Sequence, residues 1–222
     1  MGLGIHNIVQ GELGNNCYVI SDGKGAYVID PSYDGNVLKS YVANSGLELR
    51  GVLLTHFHLD HIDGALPFGD CRIFISKADH DILVSERAIE FMSDKFFGSG
   101  HMSQDECSRL RDFFTGSGIV TIGESFIVPD FDLRINTIMT PGHSPGSVCY
   151  YCEDANAIFT GDTLFYHTYG RVDLPFSSRK SMMESLDRLS DFPEETAVYP
   201  GHGEATTIGE ETEYGFLRRK YD

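Results

Sequence analysis

The spacing of apolar residues divides the chain into short runs of alternating type. Residues 3–9, 16–20 and 25–29 are β-rich and read as strands, separated by 11–15 and by Ser21-Asp22-Gly23-Lys24-Gly25. The second separator has hairpin composition, since Asp-Gly tolerates positive φ, so the opening predicts antiparallel strands. Over 35–45 the apolar positions Val37, Leu38, Tyr41 and Val42 move to helical spacing, with Gly46 placed to end the helix. A short buried strand at 52–54, a helix from 62 stopped near Pro67, and a strand at 72–75 follow. Further strands are expected at 119–122, 125–128, 132–139, 147–152, 157–160 and 197–199, with helices at 178–190 and 206–217. This order of strands and helices predicts a layered α/β fold with helices outside the sheets.

Residues 77–115 differ. Ser76 and Asp79 resemble a capping start, and Ile82, Leu83, Ile89, Met92, Phe96 and Phe97 make an apolar stripe broken by Gly98-Ser99-Gly100. A second helix is expected from about 103 to 114, with Cys107, Leu110, Phe113 and Phe114 on its apolar face. About 40 residues are too few for a core of their own. The stretch is therefore read as a helical insert within one domain spanning 1–222. Its phenylalanines suit either packing onto a sheet or a lid or dimer contact.

Composition narrows the function classes. Acidic residues outnumber basic ones, 33 to 17, and the formal charge of −16 disfavours nucleic acid and anionic membranes as partners. It leaves room for a small anionic substrate, because a metal ion reverses the field locally. No basic segment followed by an apolar one opens the chain, and no apolar run nears the ~20 residues of a membrane span, so a cytoplasmic protein, monomer or homodimer, is expected. The five scattered cysteines suit a reducing compartment. Cys149 and Cys152 form a CxxC, but positions i and i+3 of a strand face opposite ways, which predicts core thiols and not a metal or redox pair.

The densest chemistry is Thr55-His56-Phe57-His58-Leu59-Asp60-His61, directly after the apolar run Gly51-Val52-Leu53-Leu54. Imidazole and carboxylate are ligands for divalent metals such as zinc. Three further ligand-type residues also follow predicted strands beside Gly or Pro: His143 after Pro141-Gly142, Asp162 after Gly161, and His202 after Pro200-Gly201. Sites in α/β proteins gather at one end of the strands, so five of the nine histidines and two aspartates are expected to converge. Seven ligands exceed one tetrahedral ion. His6, His80 and His101 have no ligand-type neighbours at metal spacing and are expected to be ordinary residues.

His56-Phe57-His58-Leu59-Asp60-His61, Pro141-Gly142-His143, Gly161-Asp162-Thr163 and Gly201-His202 resemble, in that order, the motif series of the metallo-β-lactamase superfamily. Thr140 to Ser147, Thr160 to Phe165 and Tyr199 to Gly203 look most like its glyoxalase II (hydroxyacylglutathione hydrolase) branch. The resemblance implies an αββα sandwich of two mixed sheets. It also implies two divalent ions, zinc foremost, with iron or manganese possible. One would be held by His56, His58 and His143, the other by Asp60, His61 and His202, with Asp162 bridging. The implied reaction is hydrolysis of an anionic thioester by a water acidified between the metals, with Asp60 orienting it and shuttling a proton. The alternatives are a mononuclear iron persulfide dioxygenase, a lactonase, or a non-catalytic metal-binding module.

Only 20 residues follow His202, so the C-terminal helical domain of glyoxalase II enzymes has no counterpart in this sequence. The 82-residue interval from His61 to His143 is long for the branch because of the insert. The insert is expected to cover the mouth of the site and narrow the substrate range. Tyr166, His167 and Arg171, in the loop after Asp162, are the candidate substrate contacts, although pairing of Arg171 with Asp173 would fix the loop instead.

Overall fold

The architecture comes from a computed structural model, and the residues described are 2–85, 87, 103–215 and 217. Six strands form the first sheet in the order β1 to β6: Gly4–Gln10, Asn15–Ser21, Gly25–Ile29, Glu48–Leu53, Arg72–Ser76 and Ile119–Ile122. The first three are antiparallel hairpin neighbours, and β3 to β6 run parallel. The second sheet has the order β13-β12-β9-β8-β7, from Ile135–Met139 (β7), Val148–Cys152 (β8), Ala157–Gly161 (β9), Ala197–Pro200 (β12) and Thr206–Thr207 (β13). Between them in sequence lies a small hairpin, β10 (Leu164–Phe165) with β11 (Thr168–Tyr169). The helices are α1 (Gly35–Asn44), α2 (Leu59–Ile62), α3 (Lys77–Leu83), α4 (Gln104–Phe113), α5 (Arg179–Leu189) and α6 (Ile208–Tyr214).

Period-two alternation sorts the strand side chains into layers. Tyr18, Ile20, Tyr27, Ile29, Leu53 and Phe74 face Ile135, Val148, Tyr150 and Phe159 across the gap between the sheets. Their alternates Cys17, Val19, Ala26, Val28 and Val52 pack outward on α1 to α4. On the far side, Cys149, Ile158 and Val198 pack on α5 and α6. The result is the expected α/β sandwich of two mixed sheets with helices outside. The CxxC divides as parity demands: Cys152 lies between the sheets and Cys149 beneath α5, both buried and free.

Several boundaries differ from the sequence reading. The helix expected from 62 begins at Leu59, with His58 extended (φ −65°, ψ 147°) at its N-cap, and a single 3-10 turn follows at Leu66–Phe68. The strands expected at 125–128 and 132–139 shrink to the pairing Ile127↔Asn136 and β7, because Ser125 and Asp130 take left-handed φ values of 57° and 52°. The terminal helix stops at Gly215, whose φ of 97° favours glycine. Among the described residues no helix is long and apolar enough to cross a membrane.

The helical insert is only partly a separate feature. Its aromatic stretch falls on 88–102, outside the described residues. Helix α3 starts on the Ser76 cap, and α4 on a capping box in which Ser103 and Glu106 satisfy each other's backbone N–H. Cys107, Leu110 and Phe114 are fully buried in the core shared with α1, so α4 covers the outer face of the first sheet. That position favours sheet packing over a lid for the described part. Truncating Leu110 to alanine should therefore cost roughly 2–5 kcal/mol of stability, as for other core leucines. Urea denaturation measures this; a loss below 1 kcal/mol would place α4 outside the core.

Candidate metal centre

The parallel pairs β3/β4 and β9/β12 end at one edge of the sandwich together with β7, and the loops leaving these strands carry the ligand-type residues. His56, His58 and His143 bring one ring nitrogen each into a cluster whose atoms lie within 4.8 Å of one another. Asp60, His61 and His202 form a second such cluster. Asp162 stands between them. Its Oδ2 is 3.3 Å from His143 Nε2, and its Oδ1 is 3.3 Å from His61 Nε2. Ligands about 2.0–2.1 Å from a tetrahedral ion lie roughly 3.3–3.4 Å apart, so this spacing fits ions held between these atoms. All seven residues singled out in the sequence as ligands are thus brought together.

Hydrogen bonds behind the rings decide which nitrogens face inward. Asp30, at the end of β3, accepts from Thr55 N (2.7 Å), Thr55 Oγ1 (2.6 Å) and His61 Nδ1 (2.9 Å). With its proton given to Asp30, Thr55 Oγ1 accepts from His56 Nδ1 at 3.0 Å. His143 Nδ1 donates to the Arg171 carbonyl (2.8 Å) and His202 Nδ1 to that of Leu13 (3.2 Å). Each of these four rings turns Nε2 to the site, as metal-binding histidines do when the other nitrogen is engaged. His58 offers Nδ1 instead, 2.7 Å from His143 Nε2. A third possible cluster, Asp30 with His56 and His61, is excluded as a binding position because the Asp30 carboxylate already serves three donors.

The electrostatics suit a cation. Burial, reinforced by neighbouring imidazoles, pushes His56 and His58 well below the ordinary histidine value, which keeps them neutral. His56 Nε2 is buried with no hydrogen-bond partner, an acceptor waiting for an electrophile. Burial also disfavours charge on His61, yet Asp162 and Asp60 overcome it and raise the group well above its ordinary value. Asp162 is lowered to about 2, since His61, His143 and His202 outweigh its desolvation. Carboxylates that hold a proton on a buried imidazole will hold a divalent ion in its place. Asp60 and His202 keep 21% and 24% exposure, so the second cluster is the side open to a substrate.

The three candidate substrate residues fare differently. Arg171 is engaged with Asp173 at 3.0 Å, and His167 stacks on Tyr214 at 3.7 Å while its N–H donates to Glu211. Tyr166, at the tip of the β10–β11 hairpin, remains 40% exposed. His6 stacks on Tyr41 and His80 meets the Phe114 carbonyl, while His101 lies outside the described residues. A cleft of about 40 Å³ opens beside Asp60, lined in part by Leu13, Asn15, Tyr33 and Asp63. A larger hollow, about 650 Å³, lies where β4 and β5 begin, and its Arg50 and Arg72 are paired with Asp22 and Asp130.

Residues the sequence reading passed over support the ligands. Asp79, buried on α3, accepts from Phe57 N (3.1 Å), Ser144 Oγ (2.6 Å) and Gly146 N (2.6 Å), tying together the loops that carry His56, His58 and His143. Burial pushes its carboxyl up to about 7 against those donors. Asn16 Nδ2 donates to the Pro200 and Gly203 carbonyls, and Tyr18 Oη to Pro200, so β2 clamps the His202 loop. The capping pattern Ser76/Asp79 was the available signal for Asp79; Asn16 offered none.

Two substitutions probe this support. Asp79→Ala leaves buried donors without an acceptor, at about 1–3 kcal/mol each, so a fall in stability of roughly 3 kcal/mol is expected in urea unfolding together with weaker metal retention. A Cβ at Gly201 would meet Asp162 Oδ1 and lie 2.8 Å from His61 Cε1. Gly201→Ala should therefore release metal, measured by elemental analysis, while far-UV circular dichroism stays native.

Comparison with known proteins agrees with this geometry. The family model of the metallo-β-lactamase superfamily matches residues 10–202. The probable metallo-hydrolase YqgX of Bacillus subtilis is 32% identical over 202 residues, covering 89% of both chains. The probable polyketide biosynthesis zinc-dependent hydrolase BaeB of Bacillus velezensis is 31% identical, covering 90% of this chain and 77% of its own. The crystal structure of TTHA1623 in a di-iron-bound form superposes with a TM-score of 0.79 at 29% identity, covering 96% of this chain and all of that one. The chain belongs to the metallo-β-lactamase superfamily of metal-binding hydrolases.

Proposed function

We propose that this protein is a bimetallic thioester hydrolase of the glyoxalase II type. The observation carrying the reading is Asp162, whose two oxygens each meet a ring nitrogen of a different three-ligand cluster at 3.3 Å. A carboxylate presented to both clusters is placed to serve two ions at once. The zinc named for one relative and the iron for another are both compatible with a histidine and carboxylate set.

When bound, a pair of divalent ions supplies a water acidified to near neutrality and Lewis-acid polarisation of the acyl oxygen. The chain's own residues direct that chemistry. Asp60, held as a carboxylate against its burial chiefly by the neighbouring His61, would accept from the attacking water and fix its direction. Tyr166 supplies an exposed aromatic wall at the hairpin whose Phe165 ring lies 6.0 Å from His202. An anionic thioester is attracted by the ions in a protein whose remaining surface is acidic, so selectivity for it rests on the centre itself.

Elemental analysis, run with a panel of thioesters, lactones and β-lactams, tests the reading. Two metals per chain and preferential thioester cleavage are expected. Asp162→Ala should lose metal and at least ~100-fold in rate together. Two bound metals with no thioester cleavage, or one iron per chain with oxygen uptake on a persulfide, would overturn it.

A further inference from the structure

Asn15 opens β2, and its backbone pairs with Gln10 on one side and with His202 on the other. Its side chain is 1% exposed and enters the second cluster. The terminal amide atom facing inward is 3.0 Å from Asp60 Oδ2, 3.3 Å from His61 Nε2 and 3.5 Å from His202 Nε2. Asp60 Oδ2 is itself 3.6 Å from His61 Nε2 and 3.3 Å from His202 Nε2. Five edges of one four-atom figure thus lie between 3.0 and 3.6 Å, close to the roughly 3.3–3.4 Å edge of a tetrahedron around a zinc-sized ion. The amide atom occupies the fourth corner of that figure.

The other end of the amide, Oδ1, is buried and has no hydrogen-bond partner. The two ends have the same shape, so a half-turn of the amide places Oδ1 in the corner without disturbing the packing. Charge decides the direction of that turn. With the NH2 group inward, Asp60 Oδ2 and, in the absence of an ion, the Nε2 atoms of His61 and His202 can accept from it. A cation at the centre repels NH2 and attracts the carbonyl oxygen, a recognised ligand for hard and borderline divalent ions. The turn gives up the NH2 hydrogen bond to Asp60 Oδ2, which the bond from Oδ1 to the cation replaces.

We infer that Asn15 is an additional ligand of the second metal position, giving its side-chain oxygen beside Asp60, His61 and His202. The inference rests on the bimetallic reading above. Asn15 adds coordination without adding charge, and its place at the start of β2 couples that metal to the strand clamping the His202 loop.

Metal content and chelator competition on wild type, Asn15→Ala and Asn15→Asp separate the possibilities, with circular dichroism on each protein. Wild type retaining only one metal would defeat the bimetallic reading itself. With two metals in wild type, Asn15→Ala should keep the first and hold the second at least ~10-fold more weakly. Asn15→Asp, which preserves an oxygen in the corner, should keep both, and it remains decisive should the alanine variant fold poorly. Two metals held by Asn15→Ala with wild-type affinity would overturn the inference. So would loss of the second metal from folded Asn15→Asp, since that would show the amide acting as a donor to Asp60.

Discussion

The carboxylate of Asp30 is the contact on which the rest of the site depends. It receives two donors from Thr55 and one from His61, and so joins the end of β3 to the end of β4. Through Thr55 it also sets the proton on His56. One buried group thereby orients rings that belong to two different clusters. The arrangement is costly to leave incomplete, because a buried carboxylate without its donors loses far more than a normal hydrogen bond contributes. Asp79 does the corresponding work between α3 and the loops of His56 and His143.

These supports explain how an acidic chain keeps a site for cations rather than a set of mutually repelling carboxylates. Three aspartates and five histidines share a small volume, and their mutual fields keep Asp60 and Asp162 ionised while His56 and His58 stay neutral. The groups are poised so that binding an ion displaces little beyond a proton. The exposed edge is formed by Asp60 and His202, and the remaining ligands are sealed behind them.

Much of this was legible in the residues. The seven ligands each follow a strand beside Gly or Pro or within the dense cluster at 56–61, a local signal. The layered sheets were legible because β2, β3 and β8 are short continuous apolar runs bounded by turn residues. What was not legible acts over long separations: Asp30 meets His61 across 31 positions, Asp79 meets Gly146 across 67, and Asn16 meets Gly203 across 187. A single Asn or Asp has no period to betray it. The β10–β11 hairpin escaped for another reason. Its turn places His167 at φ 56°, where Gly, Asn or Asp would have announced a hairpin. Helix α2 was read too late because its N-cap is a ligand, His58, whose side chain makes no capping bond.

The clamp of β2 on the His202 loop has a temporal meaning. His56, His58 and His143 are all synthesised by two thirds of the way along the chain, whereas the second cluster needs His202 seated against Asn15, Asn16 and Tyr18. Closing a contact between β2 and the loop after β12 is slow compared with local pairing. The last ligand of the second cluster is also the last to be made, and it finds its partner Asn15 across 187 positions of the chain.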